Sequence, residues 1–227
     1  MILRAVFGLF ILSAFPVCYA QDVPHENEFS VYVPNNYDSA EPAGLLVYVS
    51  PIDTGAVPDA WKNILDQRNM IWVSINGSGN TKPPEQRIAE ARIARSYILK
   101  NYEVEPERVY ISGMSGGGQI ATIAASRYPE LFSGGVFLCG VNPWSERDVN
   151  PWQENLPDNI DAIRRNRYVF LSGTEDFKLA ATARVYRLYK KAGIENSKLI
   201  VVEDMGHELP DTENFDKALG FVDGRKL

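Results

Sequence analysis

Cysteine and histidine are both scarce in this chain. Among 227 residues there are two cysteines, Cys18 and Cys139, and two histidines, His25 and His207. So few cysteines exclude a disulfide-stapled fold, so stability must come from an apolar core. No Cys/His cluster suited to zinc is present either, so no metal is expected. Runs of Lys or Arg are missing, and the formal net charge is −6, which argues against a nucleic-acid partner. The chain has no internal repeat and no low-complexity segment. Its longest apolar stretch, residues 5–17, is interrupted by Pro16 and falls short of a membrane span.

That stretch has another reading. Arg4 supplies a positive start, residues 5–17 an apolar middle, and Cys18-Tyr19-Ala20 a small-residue end before Gln21. The pattern predicts a secretory signal peptide over 1–20, cleaved near Ala20, and export to the periplasm or outside the cell. A lipid anchor on Cys18 fits less well, because Phe15-Pro16-Val17 is a poor match to the small residues expected before a lipidated cysteine. Removal of the signal leaves Cys139, in the strand-like run Gly135–Gly140, as a small buried hydrophobe.

Residues 21–227 suffice for one domain with a large core. An apolar fraction of 45% and a charged fraction of 23% are those of a soluble folded protein. Phe29–Val33 alternates with period two, as a half-buried antiparallel strand does. Leu45–Val49, Met70–Ile75, Val109–Ile111, Gly135–Leu138, Tyr168–Leu171 and Leu199–Val202 are apolar without alternation, the mark of parallel strands covered on both faces. Helical patterns lie between them over 58–68, from Pro83-Pro84 to Tyr102, and over 117–127, 178–192 and 212–222. Ala91, Ala94, Ile98 and Tyr102 share one helical face. Leu179, Ala183, Tyr186 and Tyr189 share another and are expected to pack in the core. Alternation of strand and helix predicts an α/β fold: a doubly wound, mostly parallel sheet with helices on both faces and no large cap domain. Residues 141–160 break the rhythm, and Trp144 and Trp152 there are expected either to pack on the body or to line a substrate cleft.

Chemistry concentrates at Gly113-Met114-Ser115-Gly116-Gly117. This is G-x-S-x-G between a strand and a helix, a turn that lifts a serine hydroxyl clear of the sheet. The helix that follows aims backbone N–H groups at the place where an oxyanion would form. A serine needs a base, and histidine is the usual one. His25 lies near the start of the mature chain, which leaves His207, in the loop after Leu199–Val202. A third group must hold the imidazole. Asp176, after Tyr168–Leu171, is the candidate, with Glu175 its neighbour and rival. Ser115, Asp176 and His207 each follow the C-terminal end of an expected parallel strand, and such ends share one edge of the sheet. The Asn76-Gly77-Ser78-Gly79-Asn80 loop matches no dinucleotide fingerprint and is expected near that same edge. No cofactor is implied.

These pieces, with Ser172-Gly173-Thr174-Glu175-Asp176 and Gly206-His207, resemble the α/β-hydrolase superfamily. Within it the chain is similar to secreted esterases of the polyhydroxybutyrate depolymerase and feruloyl esterase type, over roughly residues 29–222. The resemblance implies Ser115 as nucleophile, Asp176 as orienting acid and His207 as base. One departure concerns the loop after the first core strand. Many relatives have a His-Gly pair there, whereas this chain has Val49-Ser50-Pro51-Ile52-Asp53. Pro51 has no N–H, so Ile52 or Asp53 is expected to join Gly116 as oxyanion donor. The expectation is an exported serine esterase acting on a small-molecule or polymer-linked ester. Its rivals are a serine peptidase of the same fold and an inactive hydrolase fold used for binding.

Overall fold

Six apolar runs and one alternating run become strands of one sheet. In the computed structural model, which describes residues 28–142 and 158–224, these are β1 (Phe29–Tyr32), β2 (Ala43–Val49), β3 (Met70–Ile75), β4 (Val104–Met114), β5 (Gly134–Leu138), β6 (Arg167–Gly173) and β7 (Ser197–Val202). The signal-like segment, His25, Trp144 and Trp152 lie outside the described residues. The strand order is β1-β3-β2-β4-β5-β6-β7. Only β1 is antiparallel, pairing with β3 from Phe29↔Ile75 to Tyr32↔Trp72. The other neighbours run parallel.

Helices cover both faces: α1 (Asp59–Gln67), α2 (Pro84–Asn101), α3 (Gly116–Arg127), α4 (Ile160–Arg165), α5 (Leu179–Lys191) and α6 (Thr212–Asp223). The two-residue period of β2 separates the layers. Leu45 and Val47 meet Ile88, Ala94 and Ile98 of α2 and Ala121 of α3 in one core. Leu46 and Tyr48 belong to the other, with Trp61 of α1 and Phe215 and Leu219 of α6. Trp61 stacks flat on Phe215 at 3.8 Å between centroids, tying α1 to α6. Among the described residues no helix is long and apolar enough to cross a membrane.

Two features fix where the site's loops begin. Proline opens α2, where its missing N–H costs nothing because the first turn has no carbonyl to receive it. At the sheet's other end, buried Arg68 and Arg108 reach Asp216 and Asp223 of α6, each at 2.7 Å. The Arg108–Asp223 pair is buried on both sides while Asp216 is partly exposed, and together the two pairs tie the helix that follows the His207 loop to this end of the sheet.

Candidate active site

The elbow is tight because its glycines leave no alternative. A Cβ on Gly117 would collide with the Val49 carbonyl oxygen, and one on Gly113 with the Gly117 carbonyl. Strand β4 and helix α3 can therefore approach only without side chains. Between them Ser115 adopts φ 55°, ψ −120°, a left-handed-side conformation that costs a non-glycine residue on the order of 1–3 kcal/mol. The turn is held by Ser115 N–H donating to Leu138 O at 2.8 Å.

Three side chains from three loops converge there. Ser115 follows β4, Asp176 follows β6 and His207 follows β7, all at the C-terminal edge of the parallel strands. His207 Nε2 lies 2.9 Å from Ser115 Oγ, and Nδ1 lies 2.8 Å from Asp176 Oδ1. Asp176 is buried, and burial by itself raises its pKa. Hydrogen bonds from Ser172 Oγ, the Lys178 N–H and His207 outweigh that and hold the carboxyl below its usual range. An ionised Asp176 can only accept, so the imidazole proton sits on Nδ1 and Nε2 is left to accept from Ser115 Oγ–H. Glu175, the rival, is exposed.

The neighbours of this trio add two observations. Phe177 is 73% exposed yet rests its ring against His207, with centroids 4.4 Å apart. Cys139 is buried as expected, at φ 50°, but its surroundings are not purely apolar. Its Sγ donates to Glu208 O at 3.2 Å, and burial beside Asp176 pushes the thiol up to about 12. Donor atoms of Cys139, Asp176 and His207 thus lie within 4.8 Å of one another. Sequence spacing gives no sign of that meeting. Hydrogen bonding accounts for it without an ion, because Asp176 accepts from His207 and Cys139 Sγ donates to the His207 loop.

The opposite flank departs from the sequence reading. Ile52 N–H, expected to face the serine, donates instead to Ser50 Oγ at 3.2 Å. Asp53 N stands against Gly79, 3.2 Å from where a Cβ of that glycine would lie. This loop turns polar groups toward the next one: Pro51 O accepts from Asn80 N–H and Asp53 O from Gly77 N–H. Under both loops lies Arg87, buried, whose guanidinium donates to Ser50 O (2.8 Å), Ser78 O (2.9 Å), Asn80 Oδ1 (3.1 Å) and Gly116 O (3.3 Å). A signal for it exists in the sequence: Arg87 shares the helical face of Ala91, Ala94 and Ile98, where a charge needs a buried partner.

Beside Met114, the residue before Ser115 in the chain, a cavity of about 240 Å³ is lined by Tyr48, Pro51, Ile52, Ala56, Met114 and Leu209, among others. Among the described residues no charged side chain lines it. Its size is below the roughly 300–1,000 Å³ of sites that hold a whole small molecule, so it suits one apolar arm.

Comparison with known proteins places these features in context. Residues 75–168 match the prolyl oligopeptidase family. An acetylxylan esterase from Coprinopsis cinerea is 27% identical over 136 residues, which cover 52% of this chain and 36% of that protein. Poly(3-hydroxyalkanoate) depolymerase C from Paucimonas lemoignei is 38% identical over 40 residues, 18% of this chain and 10% of the depolymerase. The matches thus span about a third or less of the length of these relatives. A solved ferulic acid esterase superposes with a TM-score of 0.64 at 19% identity, covering 84% of this chain and 88% of that one. The fold is that of the α/β-hydrolases, and the chain resembles the esterase and depolymerase branch of them.

Proposed function

We propose that this α/β-hydrolase chain is an exported serine hydrolase of carboxylic esters, with Ser115 as nucleophile, His207 as base and Asp176 as the acid that orients it. The hydrogen-bonded line Ser115–His207–Asp176 on a strained elbow carries the reading. In the first step His207 Nε2 takes the Ser115 proton as Oγ attacks the ester carbonyl. The resulting oxyanion is held by Gly116 N–H at the open start of α3, where backbone donors have no intrahelical acceptor. His207 then gives its proton to the leaving alcohol, and the acyl group stays on Ser115. Water repeats the sequence, losing its proton to His207, and releases the acid. Ionised Asp176 stabilises the imidazolium in both halves.

The apolar cavity beside Met114 suits the acyl arm, and the exposed Phe177 ring on the histidine side suits the departing alcohol. Peptide hydrolysis by the same trio is the second reading, favoured by the prolyl oligopeptidase match over 75–168. Acetyl, butyryl and feruloyl esters assayed against a peptide panel test the choice. Esters should turn over, those with an apolar acyl arm faster than acetate. Turnover confined to peptides would replace the ester reading. A purified chain that neither turns over nor reacts with a fluorophosphonate would point to a binding role.

Export belongs to the same reading and is carried by the Arg4–Ala20 pattern. Expressed in a secreting host, the protein should be recovered outside the cytoplasm with Gln21 as its first residue. N-terminal sequencing that finds the apolar segment retained would remove export from the proposal.

A further inference from the structure

We propose that the side-chain amide of Asn80 is the second oxyanion donor and that buried Arg87 fixes its orientation. This rests on the serine-hydrolase reading above and concerns the donor that the 50–53 loop does not offer in the expected way. Ile52 N–H is bonded within its own loop, and Asp53 N lies against Gly79. Asn80 stands where a donor is needed. Gly116 has no side chain, and the Asn80 amide fills the vacant place: a Cβ on Gly116 would run into Asn80 Oδ1, and Nδ2 is 2.8 Å from that same point. The amide nitrogen therefore lies against Gly116, the residue directly after the nucleophile.

Which end of the amide faces inward is decided by Arg87. A guanidinium only donates, and Arg87 Nη1 is 3.1 Å from the Asn80 oxygen. That interaction commits Oδ1 to the buried side and leaves the NH₂ group on the outer side. Among the described residues Nδ2 has no hydrogen-bond partner, while the backbone of Asn80 is held by its N–H on Pro51 O at 3.0 Å. The same guanidinium grips Ser50 O and Gly116 O. One planar group thus sets three loops relative to one another around the serine. A donor held in place before the reaction does not have to reorganise when charge develops on the substrate oxygen. Because that charge exists only in the transition state, the bond acts on kcat and hardly on KM.

The test compares Asn80→Ala and Asn80→Asp with wild type and with Ser115→Ala, using the best ester substrate. Asn80→Asp keeps an oxygen for Arg87 and removes the N–H donors while adding a negative charge, and Asn80→Ala removes the donors with no charge added, so the effect common to both belongs to the donor. Both variants should lose on the order of 10²–10³ in kcat with KM changed by less than about threefold. Melting temperatures should hold, since Asn80 is exposed. Arg87→Lys should lower kcat in the same sense. Combined with Asn80→Ala it should cost less than the two losses multiplied, because Arg87 acts through the amide it orients. Wild-type kcat in both Asn80 variants would overturn the proposal and pass the donor role to Asp53 N–H. Fully multiplicative losses would overturn the part assigned to Arg87. Should Arg87→Lys fail to fold, Asn80→Ala, which leaves the arginine in place and adds no charge, decides the donor. Ester turnover by Ser115→Ala would instead sink the underlying reading, so the two failures are distinguishable.

Discussion

Replacing Ser115 by alanine should lower kcat/KM for esters by a factor on the order of 10⁵, with the fold intact. The size follows from what is removed. Alanine keeps the Cβ and takes away the one atom that bonds to the acyl carbon, so no covalent intermediate can form. The remaining machinery, His207 with the oxyanion donors, can only assist direct attack by water, worth about 10³–10⁴ over the uncatalysed reaction. The backbone should tolerate the change: the turn is held by the Ser115 N–H on Leu138 O, not by the hydroxyl. The measurements are steady-state rates, circular dichroism and melting temperature. A folded Ser115→Ala protein with near wild-type turnover would remove Ser115 from the nucleophile's role.

Asp176→Asn should cost on the order of 10⁴ in kcat. An amide in that position can present its NH₂ to the imidazole, which then carries its proton on Nε2, the atom that must accept from Ser115. The loss comes from the wrong tautomer as well as from the missing charge. Asparagine also meets Ser172 Oγ and the Lys178 N–H, both of which need acceptors there. Some loss of stability is expected alongside, on the order of 1–3 kcal/mol for one buried donor left unpaired. Glu175→Gln is the matched control. Glu175 is exposed, so its replacement should leave the rate within about twofold, as surface changes away from such features do. The reverse outcome, a large loss at Glu175 and none at Asp176, would exchange their roles.

Most of the sheet was readable because parallel strands leave a strong trace. Each covered run, from Leu45–Val49 to Tyr168–Leu171, is apolar without alternation, and each became a strand. Phe29–Val33 alternated and became the antiparallel edge. Its pairing with β3 rather than β2 was not readable, since both are uniformly apolar. The α5 face was read partly amiss. Leu179, Ala183, Tyr186 and Tyr189 formed the expected stripe, but Thr182, Val185, Leu188 and Tyr189 are the buried residues. Tyrosine counts as apolar in a pattern yet can sit at a rim, and a threonine can be buried, so the stripe was read askew. Ser115, Asp176 and His207 were legible because each stands just after a strand. The helical face of Arg87 marks it as a charge in need of a buried partner, but its meeting with Asn80 and Gly116 was not legible, because it joins segments about thirty residues apart. That contact depends on how two loops fold over each other, which no local spacing encodes.

The state of Cys139 has a practical use. A thiol that is buried, bonded to a carbonyl and pushed up to about 12 presents almost no thiolate at neutral pH. Maleimides and iodoacetamides should pass it by. A cysteine engineered at position 177, whose native phenylalanine is 73% exposed beside His207, would then be the attachment point of choice in the folded domain. A fluorophore placed there would sit at the mouth of the site. Its brightness would report what enters the site, and once cleavage of the expected signal has removed Cys18 no other cysteine would have to be replaced first.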